Sequence, residues 1–178
     1  MGAEVISFIN LKGGVAKTTT TVGTATLLAG EFGKKVLVVD LDPQTNCTTM
    51  LIGEEKWKEL DDEGNTLATL FEDVINETHN FDMDATLQKN VSHIANVRGL
   101  DLIPSSLKMI DIQDRLATIP QGMFFSNNPT EIIKKVIKPI INNYDYVLID
   151  CPPNMGLITL NGLRISDAYI IPTIPDVL

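Results

Sequence analysis

Lys12-Gly13-Gly14-Val15-Ala16-Lys17-Thr18 stands between an apolar run, Val5 to Ile9, and a stretch with helical spacing, Thr19 to Phe32. Strand, glycine-rich turn and helix in that order make a phosphate-binding loop. Such a turn points successive backbone N–H groups at one place, and the helix behind it adds the partial positive charge of its N-terminus. The cradle expected here runs from Gly13 through Gly14, Val15, Ala16, Lys17 and Thr18 to Thr19. Lys17 is placed to reach the outer phosphates as a point charge, and the Thr18 hydroxyl to coordinate Mg²⁺. The stretch departs from the G-x-x-x-x-G-K-[ST] pattern, because Ala16 replaces the second glycine and Leu11 stands near the place of the first. Its distinctive feature is Lys12, a second lysine at the start of the loop.

Working outward, Val36 to Val39 and Tyr146 to Ile149 are short, almost uninterrupted apolar runs that end in aspartates, Asp40 and Asp150. Strands buried on both faces of a parallel sheet read this way. Between the first two strands lies a helix of about 14 residues that stops at Gly33, with Val22, Ala25, Ala29 and Phe32 on its apolar face. Gly53 to Asn65 reads as a surface loop or a short exposed helix, and Thr66 to Ile75 as a helix. Asn90 to Ala95 and Leu100 to Ile103 both carry a strand pattern; Ser105 or Ser106 is the expected cap of a helix from Leu107 to Leu116. Ile119 to Pro129 is a predicted loop. Thr130 is expected to cap the helix Glu131 to Asn142, which Pro139 should kink or loosen in its last turn. A helix over Ile158 to Ile165 and a strand from Ala168 to Ile171 follow, with Pro172 to Asp176 at that strand's carboxyl end. Alternating strands and helices predict an α/β three-layer sandwich, a mostly parallel twisted sheet with helices on both faces and the ligand outside the carboxyl ends of the strands.

Composition narrows the class. The 178 residues suit a single domain with a sizeable core, and the 44% hydrophobic fraction agrees. No apolar run approaches the ~20 residues of a bilayer helix, and Met1 to Asn10 goes directly into a strand pattern rather than a secretory leader. Ile6 stands where a myristoylation signal wants Ser or Thr. A cytoplasmic location is expected. Cys47 and Cys151 form no disulfide framework, and with His79 and His93 they make no metal-ligand cluster by spacing. Both cysteines read as packing residues. The net charge of −9 opposes nucleic-acid binding overall. The one basic cluster, Lys134, Lys135 and Lys138, reads as the solvated face of a helix.

Three motifs carry a resemblance. Lys12 to Thr18 is similar to the K-G-G-x-x-K-[ST] loop of the ParA/Soj partition ATPases, within the ParA/MinD class of deviant Walker A P-loop ATPases (SIMIBI-like). Asp40-Leu41-Asp42-Pro43-Gln44 resembles that family's D-x-D-P-Q motif. Tyr144 to Pro153, followed by Gly156 and Leu160-Asn161, resembles its Walker B strand and the segment beyond. The likeness is strongest over residues 4 to 50 and 144 to 176. Members of the family continue past the point where this chain stops, so residues 1–178 are read as one P-loop ATPase domain lacking its C-terminal elements.

The resemblance implies a weak, Mg-dependent ATPase. Asp42 would orient the hydrolytic water; Asp40 and Asp150 would complete the metal shell through water around Thr18. Asp40 and Asp42 are two apart, which on an extended chain puts both on one side, the alternative being a simple Asx-type turn. Lys12 would cross a dimer interface to the partner's nucleotide, the alternative being an intramolecular phosphate contact. The implied function is a nucleotide-dependent homodimer that binds DNA without sequence preference and segregates plasmids or chromosomes with a ParB-like centromere-binding partner. Rival readings are a MinD-like regulator cycling on a membrane, for which no C-terminal amphipathic helix is visible, a biosynthetic ligase using the same loop, and a binding-only domain. Trp57 reads as a packing or partner contact.

Overall fold

A computed structural model describes residues 2–118 and 128–175. Five parallel strands form one sheet: β1 (Glu4–Phe8), β2 (Val36–Asp40), β3 (Leu100–Ile103), β4 (Tyr146–Asp150) and β5 (Ala168–Ile170), in the spatial order β3-β2-β4-β1-β5. The predicted strand-helix-strand unit at the N-terminus is present, but β4 lies between β1 and β2. Register does the important work. Asp150 is paired with Asp40 of β2 on one side and with Phe8 of β1 on the other. The ends of the three central strands are therefore level, and whatever follows each of them meets at one edge of the sheet.

The helices are α1 (Lys17–Gly30), α2 (Asn46–Ile52), α3 (Glu54–Asp62), α4 (Leu67–Asn76), α5 (Met83–Thr86), α6 (Met109–Thr118), α7 (Ile132–Ile137) and α8 (Leu157–Ile165). Strand alternation divides the core in two. Phe8, Val36, Val38, Leu100, Leu102 and Leu148 face α1 and α2, packing on Ala25, Ala29, Cys47 and Leu51. Val5, Leu37, Val39, Ile103, Val147 and Ile149 face the other way, onto Leu67 and Phe71 of α4, Met109 and Ile112 of α6, Ile133 and Ile137 of α7 and Ile158 of α8. The result is the expected three-layer α/β sandwich.

Several boundaries differ from the sequence reading. The first helix begins and ends two residues earlier than expected, which leaves Phe32 outside it and 62% exposed. Gly53 to Asn65 resolves into the exposed helix α3 and a turn. Asn90 to Ala95 is no strand. Asn90 adopts φ 55°, which breaks an extended run; beside β3 the chain makes an isolated antiparallel bridge at Gln88 with Leu102 and a further backbone bond from the Val91 N–H to the Leu100 carbonyl at 2.8 Å. The helix expected over Glu131 to Asn142 is cut to α7 with a 3-10 turn at Ile141–Asn143. Pro139 accounts for it: its ring clashes with the carbonyl four residues back, and it has no N–H to donate. Thr130 does not cap α7, because its hydroxyl is bonded to Asn128. Asn161 of α8 accepts the Ile133 N–H at 3.1 Å instead, and donates to the Pro129 and Leu157 carbonyls. The loop expected over Ile119 to Pro129 lies outside the described residues through 127, as does Asp176.

Two backbone sites bear directly on the edge where the strand ends meet. Gly162 of α8 packs so closely beneath β4 that an added Cβ would lie 3.0 Å from Leu41 Cδ1, 3.1 Å from Ile149 Cγ2 and 3.3 Å from Cys151 Sγ. Ala16, immediately before α1, has φ 63°, a left-handed conformation in which an L-residue carries strain of about 1–2 kcal/mol. Gly162→Ala should lower the unfolding free energy by about 1–3 kcal/mol, the usual cost of overpacking. Gly23→Ala, with nothing within 4 Å of its added Cβ, should raise it by about 0.5–1 kcal/mol. Paired urea titrations check the contrast. Ala16→Gly should stabilise the nucleotide-free protein by up to about 1 kcal/mol, relief of strain being partly offset by the greater freedom of glycine when unfolded; the shift in urea midpoint measures it.

Candidate nucleotide site

The loop between β1 and α1 turns back over the strand ends. Gly14 (φ 72°) and Ala16 (φ 63°) supply two left-handed residues around Val15, whose side chain is buried and pins the loop to the body of the domain. At its start, Asn10 accepts the Lys12 N–H at 2.8 Å and donates to the Pro172 carbonyl at 2.9 Å, tying the loop to the segment after β5. Lys17 is only 7% exposed, and its amine lies 3.4 Å from the Lys12 carbonyl oxygen. The Lys12 side chain is on the exposed part of the loop. In front of the loop is a cleft of about 330 Å³ lined by Gly13 to Thr19, Asp42, Gln44, Asn46 and Pro153.

Behind the cleft sits Asp150, completely buried. Thr18 donates its hydroxyl to Oδ2 at 2.7 Å, and Thr21, one turn further along α1, donates to Oδ1 at 3.2 Å. Burial pushes the Asp150 carboxyl up to about 6, with the Asp42 charge adding to the shift and the threonine hydroxyls and Lys17 opposing it. Asp40 is also fully buried, and burial, reinforced by Asp150, holds it well above the usual carboxylate range. Both of its oxygens are engaged within the protein: Oδ1 accepts the Asp42 N–H at 3.0 Å, and Oδ2 accepts the N–H and hydroxyl of Thr48 at 2.9 and 2.7 Å. Asp42 is 9% exposed at the cleft wall, and its Oδ1 accepts the Gln44 N–H at 3.0 Å in an Asx-type turn. The structure thus brings Lys17, Thr18 and Asp42 to one cleft, with Asp150 buried behind Thr18 and Asp40 buried behind Asp42.

Cys47 and Cys151 are both buried; burial raises both thiols, Cys151 to about 12, so they are neutral packing groups. Lys134 and Lys135 on α7 and Lys138 just after it are exposed. Sequence reasoning missed Thr21, Thr48 and Ser105. Thr21 has a legible signal, since it lies one helical turn after Thr18 and on the same face. Neither Ser105 nor Ser106 adjoins α6; the Ser106 Oγ accepts the Lys108 N–H at 3.0 Å in the turn that precedes the helix. Ser105 instead donates to the Asp42 carbonyl at 2.8 Å. No group of three or more His, Cys, Asp or Glu residues able to hold a metal occurs among the described residues. Thr18 and Asp150 are hard oxygen donors of the kind Mg²⁺ takes, one or two from the protein with phosphate and water completing the shell.

The model of a family described as "AAA domain" matches residues 3–178. The sporulation initiation inhibitor protein Soj of Bacillus subtilis is 34% identical over 95% of this chain and 57% of its own length. The chromosome partitioning protein ParA of Myxococcus xanthus is 30% identical over 95% of this chain and 51% of its own length. The chain therefore spans about half the length of these relatives. Among solved structures, a plasmid partition protein from Borrelia burgdorferi superposes with a TM-score of 0.67 at 28% identity, over 96% of this chain and 65% of that one. A cobyrinic acid a,c-diamide synthase from Mycobacterium smegmatis, solved with a bound ATP analogue and magnesium, gives 0.70 at 27% identity over 96% and 60%. With its phosphate loop, its level strand ends and its threonine–aspartate pair, the chain belongs to this AAA-domain family of P-loop ATPases and is similar within it to the Soj and ParA partition proteins.

Proposed function

We propose that the chain binds and slowly hydrolyses Mg–ATP, and that hydrolysis resets a partition-type cycle of dimerisation and DNA binding. The observation that carries the ATPase reading is the 2.7 Å bond from Thr18 to Asp150 directly behind the loop. It sets a hydroxyl and a carboxylate, both hard oxygen donors, where Mg²⁺ would join the outer phosphates. Thr18 and Asp150 would hold that ion, which when bound supplies charge neutralisation on the phosphate oxygens.

The chain's own residues account for the rest. N–H groups of Gly13 to Thr19 seat the phosphates, and Lys17 exchanges the Lys12 carbonyl for phosphate oxygens, a charge-assisted contact in place of a weaker one. Asp42 stands across the cleft from the loop, where its carboxylate accepts a hydrogen bond from a water and orients it for in-line attack. Asp40 fixes the backbone of Asp42. Lys12, on the exposed part of the loop, is assigned to the nucleotide of a second subunit, so that two chains enclose two nucleotides.

DNA binding and a ParB-like partner rest on similarity to the partition proteins. A local cationic face is compatible with the charge of −9: Lys134, Lys138 and Arg164 border one shallow groove between α7 and α8. The likeness to the diamide synthase supports the same nucleotide site and a different product. DNA binding with ATP, with ADP and without nucleotide, at low and moderate salt, separates the two. ATP-dependent, salt-sensitive retention supports partition. Its absence in a sample that holds and hydrolyses ATP points to the ligase reading or to a DNA surface carried outside these residues, and a longer chain resolves which.

Lys17→Ala should weaken ATP binding on the order of 100-fold, the loss of a strong charge-assisted contact; ATP affinity unchanged in isothermal titration would remove the loop from the function. Asp42→Ala should leave ATP affinity within a few-fold while hydrolysis falls by roughly 10²–10⁴-fold, as for loss of a group acting on the attacking water. Phosphate release measured at saturating ATP distinguishes the two variants.

A further inference from the structure

Ser105 follows β3 by two residues, is fully buried, and has every polar atom committed to a different element. Its Oγ donates to the Asp42 carbonyl at 2.8 Å. Its N–H donates to the Thr48 hydroxyl at 3.0 Å, which in turn donates to Asp40 at 2.7 Å. Asp40 accepts the Asp42 N–H at 3.0 Å. The path from Asp42 through Asp40, Thr48 and Ser105 back to Asp42 is a closed ring that grips the peptide units on both sides of Asp42. The remaining atom, the Ser105 carbonyl oxygen, accepts the indole N–H of Trp57 at 3.1 Å. Trp57 is half-buried on α3 and is the only tryptophan in the chain.

We propose that Ser105 is a positioning residue for Asp42, and that Trp57 is the outer end of the same hydrogen-bond relay, so that the setting of the water-orienting loop is expressed at the surface helix α3. This rests on the reading of Asp42 given above. A buried ring of this kind restricts Asp42 without touching nucleotide, so its loss acts on turnover rather than on affinity. Removing the Ser105 hydroxyl leaves the Asp42 carbonyl with its second donor, the Thr45 N–H at 3.0 Å, so the loop keeps its turn while losing its restraint.

The test uses the full 178-residue chain and Mg–ATP. In Ser105→Ala, kcat should fall about 10-fold or more while ATP affinity stays within about twofold, and Ser105→Thr, which keeps the hydroxyl, should recover part of the loss. In an Asp42→Ala background the same Ser105→Ala change should cost nothing further, because residues acting through one another are not additive. Indole emission from Trp57 should shift when ATP binds the parent protein, and that shift should shrink in Ser105→Ala. Parent-like turnover in Ser105→Ala beside an inactive Asp42→Ala overturns the relay and leaves the Asp42 reading standing. Parent-like turnover in Asp42→Ala overturns both. Equal losses from Ser105→Ala in the two backgrounds also overturn the proposal, since they assign Ser105 to general stability; so does an emission response to ATP identical in parent and Ser105→Ala.

Discussion

The hydrogen bond from Thr18 to Asp150 joins the helix that carries the phosphate loop to the strand on which the sheet is centred. Its existence depends on register. Only because Phe8, Asp150 and Asp40 are level across β1, β4 and β2 does the first turn of α1 pass over the Asp150 carboxylate. A one-residue slip would turn that carboxylate to the opposite face of the sheet. Hydrophobic alternation enforces the register, since Leu148 packs toward α1 while Val147 and Ile149 pack toward the other helical layer. The chemistry at the strand ends is thus held in place by apolar side chains that take no part in it.

Bringing three aspartates to one edge carries an electrostatic cost, and the fold meets it differently at each. Asp42 stays at the cleft wall. Asp40, buried, is surrounded by donors from Thr48 and the Asp42 N–H. Asp150, buried, has two threonine hydroxyls, with Lys17 nearby, and still has its carboxyl raised to about 6. The donors around Asp40 and Asp150 offset only part of that cost, and burial still holds both carboxyls above their usual range. Ionised side chains elsewhere do little for stability: Lys56–Glu59 and Arg164–Glu131 are largely exposed pairs of the kind worth at most about 1 kcal/mol.

The parts of this arrangement legible in the sequence were those with a local signature. A glycine-rich turn between an apolar run and a helix, and aspartates at the ends of buried strands, are short-range patterns, and they located the loop, Asp42 and Asp150 as well as the three-layer fold. The strand pattern at Asn90 to Ala95 misled because one left-handed residue, Asn90, redirects the chain, and asparagine tolerates that conformation without announcing it. The cap of α7 was illegible because it comes from Asn161, 28 residues away, rather than from the adjacent Thr130. Ser105 or Ser106 reads as a helix cap for the same reason: the partners of Ser105, which are Asp42, Thr48 and Trp57, lie 48 to 63 residues earlier, and only sheet order brings them together. Strand neighbours are not set by chain neighbours when β4 inserts between β1 and β2.

The loop is braced by contacts of its own. Val15 is buried beneath it, Asn10 holds its start, and Ala16 makes a left-handed turn before α1. Lys17 occupies a weak, 3.4 Å contact with a loop carbonyl rather than extending into solvent. A phosphate bound there would meet N–H groups held by these contacts and an ammonium whose own contact is a long neutral hydrogen bond. Pre-organisation of this sort reduces the ordering entropy of binding, and the strain at Ala16 is part of its cost. The opposite wall is braced as well: Asp42 and Gln44 sit on a short turn backed by Thr45 in a left-handed conformation, and the peptide units of Asp42 are held by Asp40 and Ser105. Both sides of the cleft are thus fixed by bonds to the body of the domain, so the separation of Asp42 from the loop is set by sheet register and by the hydrogen bonds behind it.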